Sequence, residues 1–388
     1  MKALGEVVPA GSPVTDDEPR ALMLASRTQG GGALPPYYLV YFLLVDLLGF
    51  PHLGPWEKTA WMVPIRYRGR LYGIEHRKMG LGIFAPCEDS GTNKSCNPTN
   101  NQETDAEKIT RLIKKAVSVA TPYFQWRAER AASGSQFNVH NKNEPLFDRY
   151  QYFRDRYSTL EKEAKARQDE RQVTKIIRVD GTEMASYSDP SSSLAIEAKW
   201  NAQAAIEAFF AWSEHAFIHL SILQGCLRTG DEVTKLAKDN WKEKFKKAYN
   251  LNDKAIKEHY DTLVDIREQL RNFMAHGAFG KRGEAFCFHS EAGAVPVLLS
   301  DSQNHRYGLA GNPAFDESQA IIEIEAFLRH LWASSLAPAK QYLFSGLPGI
   351  LTFVADETYK QAMQSEESMK KFVHHLTMQF DNAANMDW

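Results

Sequence analysis

The chain has 388 residues, a formal net charge of −2 and an aromatic content of 11%. This length favours two or three domains, and the balanced charge excludes a protein that binds nucleic acid through an overall basic excess. The aromatic content excludes wholesale disorder, no apolar run is long enough to span a membrane, and no secretory leader is recognisable. We therefore expect a cytoplasmic protein with no membrane partner.

Residues 1–36 are rich in Gly, Pro and acidic side chains, and they end in three glycines followed by Pro35 and Pro36. This composition predicts a flexible arm. The apolar run that follows, residues 37–48, predicts a buried helix that ends at Gly49.

Residues 37–140 predict a small α+β domain. Within it, residues 61–84 have the pattern of a β-hairpin with a third strand, because Ile65 and Tyr67 alternate with Arg66 and Arg68. A helix is predicted after a polar loop, from Ala106 to about residue 132. The four cysteines of the chain form no pair with metal-ligand spacing, so we expect no metal and no other cofactor.

Residues 141–189 carry many charges of both signs and then a Ser/Asp/Pro segment, which predicts a charged helical connector and a linker. Residues 190–345 contain four segments with helical periodicity and short connections, the pattern of an up-and-down helical bundle. Residues 346–388 predict a last helix and a polar tail. The expected fold class is therefore α+β, predominantly α.

The stretch with the clearest chemical content ends the third helix of this bundle, which Asp253 begins. It places Arg271, Asn272 and His276 within six positions, just before the helix stop at Gly277. An arginine is always charged and its forked guanidinium matches a phosphate. A histidine with a pKa of about 6.5 exchanges protons near neutrality. Together they suit a site that binds a phosphate and transfers a proton.

The order Arg271-Asn272-x-x-x-His276 resembles the motif of the HEPN superfamily, the higher eukaryotes and prokaryotes nucleotide-binding domain. The resemblance covers about residues 190–345 and implies a HEPN-like bundle. It further implies a metal-independent endoribonuclease with Arg271, Asn272 and His276 in the catalytic site. RNA would be the substrate, cleaved by attack of a ribose 2′-hydroxyl on the adjacent phosphorus. A toxin or antiphage-defence effector is the implied role, with an antitoxin or sensor as a further partner.

The spacing of Arg271 and His276 also bears on the oligomeric state. Five positions at about 100° per residue place Arg271 and His276 about 140° apart around an ideal helix. They converge only past the helix end or in a groove shared with a second subunit. HEPN ribonucleases form their sites at such a seam, so we expect a homodimer through the bundle.

Further residues are candidates to support the site at Arg271 and His276 or to bind RNA. Glu207 and Glu214 share one face of the first bundle helix. The resemblance implies that a carboxylate there orients Arg271, and Arg267 lies one helical turn before Arg271. Four basic residues near the motif are candidates for contacts with the RNA backbone: Lys242, Lys246, Lys281 and Arg282.

Three alternatives remain open from the sequence. The same bundle could bind RNA or nucleotides as a non-catalytic or regulatory module, with Arg271 as an ion-pair partner. The hairpin holds Glu75 followed by Arg77 and Lys78, with Asp46 upstream, which resembles a metal-dependent nuclease with an altered motif. His215 and His219 are one helical turn apart, the spacing of a two-point metal clamp or of a polar helix face.

Overall fold

The computed structural model describes residues 2–15, 17–56, 58–86, 97–177, 183–276, 286–299, 307–309 and 316–385. Helices dominate and the sheets are small and antiparallel, which confirms the predicted α+β, predominantly α class. The chain divides into two compact units. The first unit contains residues 1–131 and 379–388, and the second contains residues 132–378.

The first unit is built on a five-stranded antiparallel sheet. In chain order its elements are β1 (Val7–Pro9), α1 (Glu18–Met23), β2 (Ser26–Arg27), α2 (Tyr37–Tyr41), β3 (Thr59–Tyr67), β4 (Arg70–Arg77), β5 (Gly80–Ala85), α3 (Asn100–Val119) and α4 (Thr121–Ser133). The spatial order of the strands is β1-β3-β4-β5-β2. The predicted hairpin with its third strand is thus confirmed as β3, β4 and β5.

The alternation in β3 sets the two faces of this sheet. Ile65 and Tyr67 are buried in the core of the first unit, while Arg66 and Arg68 between and after them are not. Arg68 and Gly69 both have positive φ, 52° and 79°, as a two-residue hairpin turn matched to strand twist requires. Helix α3 packs Ile109 and Ile113 into the same core, and a Thr99 capping box begins it.

The predicted flexible arm is ordered structure. β1 pairs with β3 along one edge of the sheet and β2 pairs with β5 along the other, and Leu4 and Val7 are buried in the core. A segment rich in Gly and Pro needs only a few apolar residues and free amide groups to complete a sheet edge. The overall composition of residues 1–36 hides those few positions. The run at 37–48 is also less regular than predicted, because α2 continues as a π-helical turn over Phe42–Leu47.

The second unit is a bundle of helices with short strands at its margins. Its elements are β6 (Asn138–Val139), α5 (Asn143–Ala166), β7 (Gln172–Ile177), β8 (Glu183–Ser188), α6 (Pro190–Leu223), α7 (Gly230–Lys238), α8 (Trp241–Ala248), α9 (Lys254–His276), β9 (Phe286–Ser290), β10 (Gly293–Leu299), β11 (Tyr307–Gly308), α10 (Glu317–Ala333), α11 (Ala339–Leu343), β12 (Gly349–Ile350), α12 (Thr352–Ala355), α13 (Thr358–Ala362) and α14 (Glu366–Asn385).

Residues 141–189 are not a connector. Helix α5 packs along α6, and Tyr150 is buried, with its hydroxyl donating to Glu325 of α10 at 2.7 Å. Buried and half-buried side chains recur every three or four positions along α5, namely Leu146, Tyr150, Phe153, Tyr157, Leu160 and Ala164. The abundant charges between them conceal this stripe in the sequence. The predicted linker is also short, since β8 ends at Ser188 and Asp189 already caps α6.

Residues 346–388 are likewise more than a helix and a tail. Leu347, Ile350 and Tyr359 lie in the same core as α6, and so does Met369 of α14. The bundle also contains more helices than the four segments that the sequence predicts. Asn240 caps α8 separately from α7, and α10 ends at Ala333, before Pro338 precedes α11.

Candidate functional site

The candidate site lies at the C-terminal end of α9. Asp253 accepts hydrogen bonds from the amides of Ala255 and Ile256, at 2.9 and 3.4 Å, and so caps the helix as predicted. Arg271 is exposed near the other end. The backbone of Asn272 and His276 lies in the last turns of α9, and their side chains lie outside the described part of the chain.

Arg271 lines a groove of about 1020 Å³. The groove lies between α6, α8 and α9 of the second unit. Its lining residues are Glu207, Phe210, Ala211, Glu214, Asn240, Trp241, Lys242, Val264, Arg267, Glu268, Leu270 and Arg271. The floor is therefore partly aromatic and the walls carry charges of both signs.

Glu214 of α6 is the most heavily engaged carboxylate of this groove. Its Oε1 accepts from Arg267 Nη2 at 2.8 Å and its Oε2 accepts from Lys244 Nζ at 2.7 Å. The Lys244 side chain is only 7% exposed. One carboxylate thus joins α6 to both α8 and α9, and it holds the Arg267 guanidinium in a defined position.

Aromatic side chains complete the setting of Arg267. Its guanidinium carbon lies 5.8 Å from the ring centroid of Phe210 and 5.8 Å from that of Trp241, within the range of a cation–π contact. Trp241 is fully buried and donates from Nε1 to Ser213 Oγ at 2.9 Å. Arg267 is therefore fixed by a carboxylate and by two rigid rings.

The structure brings five of the predicted residues together in the groove: Glu207, Glu214, Lys242, Arg267 and Arg271. Lys242 Nζ donates to Glu268 Oε1 at 2.7 Å, so this lysine is already paired.

Lys246 does not belong to this groove. It pairs with Glu243 at 2.7 Å and lines a different pocket beside Gln224 and Asn250. Lys281 and Arg282 lie outside the described residues.

Lys244 is a residue of this site that the sequence analysis does not identify, because it stands among several other lysines of the same segment. The apolar residues Trp241, Phe245 and Ala248 are buried along α8. Lys244 is one turn from Trp241 and Ala248, on the inner face of the helix, where a lysine needs a buried or half-buried acid. That spacing is the signal that would have identified it.

The two histidines of α6, His215 and His219, are neighbours in different surroundings. His215 Nε2 accepts the backbone amide of Lys142 at 2.9 Å, and the rings of His215 and His219 are 4.4 Å apart between centroids. His219 is 1% exposed and burial lowers its pKa. Among the residues that the structure describes, no group of three or more His, Cys, Asp or Glu side chains has the arrangement of a metal site.

The hairpin does not assemble the alternative nuclease site. Glu75 is 1% exposed and its Oε2 accepts from Arg77 Nε at 2.7 Å. Asp46 instead pairs with Arg127 at 2.9 Å. Neighbouring Ile74 packs into the core of the first unit, and since successive side chains of a strand alternate, Glu75 lies on the opposite face.

The strand arginines are also engaged within the first unit. Arg66 pairs with Glu18 at 2.6 Å, Arg68 with Glu6 at 2.6 Å and Arg70 with Asp105 at 2.8 Å. Arg77 bonds Glu75 and lies over the Phe84 ring, 3.9 Å from its centroid. These four arginines are therefore structural ion-pair partners, and they do not form a free basic surface.

Comparison with protein-family models, with curated proteins and with solved structures finds no match to this chain. A search of the described helices for one long and apolar enough to cross a bilayer also finds none.

Proposed function

We infer that the second unit is a metal-independent endoribonuclease of HEPN type that acts on RNA as a homodimer, in the role of a toxin or antiphage effector. The observation that carries this proposal is the placement of Arg271. It lines a groove of about 1020 Å³ one helical turn from Arg267, whose guanidinium is held by Glu214. Such a groove offers two guanidinium groups to an RNA backbone, the exposed one of Arg271 and the ion-paired one of Arg267.

In the proposed reaction the ribose 2′-oxygen attacks phosphorus and the bond from phosphorus to the 5′-oxygen breaks. The products are a 2′,3′-cyclic phosphate and a 5′-hydroxyl. Charge on the phosphoryl oxygens is met by Arg271, since a guanidinium is always charged and donates two parallel hydrogen bonds. His276 transfers the proton that leaves the 2′-hydroxyl or the one that reaches the 5′-oxygen, and a second copy in the dimer serves the other oxygen.

The proposed roles of the other groove residues follow from their contacts. Glu214 holds the guanidinium of Arg267, which lines the groove next to Arg271. Asn272 hydrogen-bonds the phosphate or the imidazole. Lys242 contributes to backbone binding only when it leaves Glu268, because its ammonium is paired at 2.7 Å. Glu207 lies on the same side of α6 as Glu214 and borders the groove.

The test is cleavage of total RNA by the pure protein in EDTA. We expect cleavage by the wild type, and at least a hundredfold loss in His276→Ala and Arg271→Ala, since general acid–base catalysis contributes roughly 10²–10⁴-fold. His374→Ala, which removes an exposed histidine of α14, is the matched control and keeps full activity. Sedimentation of the active protein should give the mass of two chains.

Other outcomes overturn the proposal. Activity that EDTA and Glu75→Ala abolish, but that His276→Ala leaves intact, would move the chemistry to the hairpin and a metal. Cleavage by a protein that stays monomeric at every concentration would contradict an active site shared between two subunits.

A non-catalytic RNA-binding or regulatory module is the second candidate, and one observation favours it. Two of the three cations that line the groove are paired there, Lys242 with Glu268 and Arg267 with Glu214. The lining contains as many acids as bases, which suits regulated or weak binding better than strong phosphate attraction. Binding of RNA without cleavage by wild-type protein would select this candidate.

A further inference from the structure

One side of α6 is open to solvent over about four turns. At about 100° per residue, positions 196, 200, 204, 207 and 211 fall within about 80° around the helix. Ile196 and Trp200 are 51% and 64% exposed. Glu207 and Ala211 are also exposed, and Ala204 is half-buried. We name these five residues the outer stripe of α6.

The outer stripe is apolar apart from one carboxylate. Other sides of α6 are buried, with Phe209 against Tyr150 of α5 and Phe217 against Phe245 of α8. A tryptophan and an isoleucine that are exposed one turn apart are typical of a surface that another protein covers. RNA fits the stripe less well, because Glu207 lies within it and repels phosphate.

The outer stripe is complementary in shape to a second copy of itself. Trp200 is its bulkiest side chain, and Ala211 is a small residue three turns away on the same line. In an antiparallel pairing of two α6 helices, Trp200 of each copy lies over Ala211 of the other. Ala211 lines the groove beside Phe210 and Trp241. A large aromatic side chain that enters such an apolar pocket is a frequent anchor of protein interfaces.

Helix α9 runs antiparallel to α6 beside this stripe. Arg267 lies over the Phe210 ring of α6. Tyr260, two turns earlier in α9, contacts Phe245, which packs on Phe217 of α6. Each turn of α9 towards its C-terminal end therefore lies beside a turn of α6 nearer the N-terminal end of that helix.

This direction places Arg271 beside the centre of the paired stripes. Arg271 is one turn beyond Arg267 and is level with the turn of α6 that holds Glu207. The midpoint between Trp200 and Ala211 falls in the same turn, so the two-fold axis of the pairing passes next to both grooves. Glu207 of one copy is then about one helical turn from the level of Arg271 of the other, which brings opposite charges together.

We propose that the outer stripe of α6 is the homodimer interface, in which Trp200 of each copy completes the groove of the other. This inference rests on the proposed homodimer. It names the surface that forms the dimer and a residue that the second copy contributes to the site.

Sedimentation velocity of the full chain over a range of concentrations measures the dissociation constant of the dimer. We expect Trp200→Ala to raise this constant at least about a hundredfold, because each dimer loses two aromatic anchors. Ala211→Glu should also weaken the dimer, since it places a charge beneath the tryptophan of the other copy. The matched control is Trp126→Ala, which removes a 49% exposed tryptophan of α4 and leaves the constant unchanged.

The proposal is overturned if Trp200→Ala, shown by circular dichroism to be folded, dimerises as tightly as the wild type. A wild type that is monomeric at every concentration would overturn it too. If the Trp200→Ala dimer is unchanged but binds RNA more weakly, Trp200 belongs to an RNA site and the interface lies elsewhere. A wild-type dimer that Trp200→Ala dissociates, but that cleaves no RNA, would support the interface and contradict the proposed ribonuclease.

Discussion

At the scale of single residues, Glu214 is the centre of the candidate groove. It accepts hydrogen bonds from two cations that come from different helices, Lys244 and Arg267. The two pairs differ in their exposure to water. Lys244 is 7% exposed and Arg267 38% exposed, so loss of the carboxylate leaves one ammonium in a poorly hydrated place.

Glu214→Gln is expected to lower the free energy of unfolding by about 1–3 kcal/mol, because a hydrogen-bonded charge pair near the interior is broken on one side. Urea unfolding followed by circular dichroism measures the change. Glu268→Gln is the matched control. Its partner Lys242 is 44% exposed, so its expected cost is below about 1 kcal/mol.

A double variant in α6 and α8 tests whether the unpaired charge of Lys244 causes this loss of stability. Adding Lys244→Met to Glu214→Gln removes the stranded charge while keeping a side chain of similar length, and most of the lost stability should return. If the double variant is no more stable than Glu214→Gln, the unpaired ammonium of Lys244 is not the origin of the loss.

At the scale of elements, α5 and α6 are joined at one end by a histidine. The amide of Lys142, the N-cap residue of α5, donates to His215 Nε2 of α6 at 2.9 Å. Burial, with smaller contributions from His219 and Lys142, lowers the pKa of His215 from 6.5 to about 4. A neutral imidazole is required, because a protonated ring cannot accept this hydrogen bond.

The free energy of unfolding should therefore fall as the pH is lowered from about 6.5 to about 4. In this window the unfolded chain binds a proton at His215 and the folded chain does not, so stability rises with pH. His215→Gln preserves an acceptor for the Lys142 amide and removes the titration, so the fall should be smaller in this variant. Urea unfolding at a series of pH values tests this, with the exposed His374→Gln as control. Parallel pH profiles for wild type and His215→Gln would contradict the assignment.

At the scale of the whole molecule, the chain has two hydrophobic cores. One contains Ile65 and Ile74 of the sheet with Ile109 and Ile113 of α3, all in the first unit. The other contains residues from α5 to α14, including Phe209 and Leu220 of α6 and Phe327 of α10. Each core buries enough large side chains to support a cooperative unit.

Truncation of one core should therefore destabilise one unit. Leu220→Ala and Ile74→Ala each remove a fully buried side chain, and each should cost about 2–5 kcal/mol. In differential scanning calorimetry we expect two transitions, with Leu220→Ala lowering the midpoint of one and Ile74→Ala that of the other. A single transition that both variants shift equally would show that the units unfold together.

Much of the fold was predictable where the determining contacts are local. The alternation of Ile65, Arg66 and Tyr67 predicts the strand, and Asp253 predicts the start of α9, which it caps through side-chain hydrogen bonds. The predictions that the structure contradicts are those based on the overall composition of a segment. In α5 the charges hide a buried stripe, and in residues 1–36 the glycines and prolines hide two edge strands.

Local sequence alone predicts the helical and strand periodicity, the caps and the position of Arg271, Asn272 and His276 near the end of a helix. These features depend on neighbours within a turn or a hairpin. Packing between distant segments determines that Glu214 joins Lys244 and Arg267, residues 30 and 53 positions away, and that Tyr37 stacks on His76. Such contacts depend on how helices and strands pack. Hydrophobic burial drives that packing and is non-directional, so the local sequence does not show which polar side chains will meet.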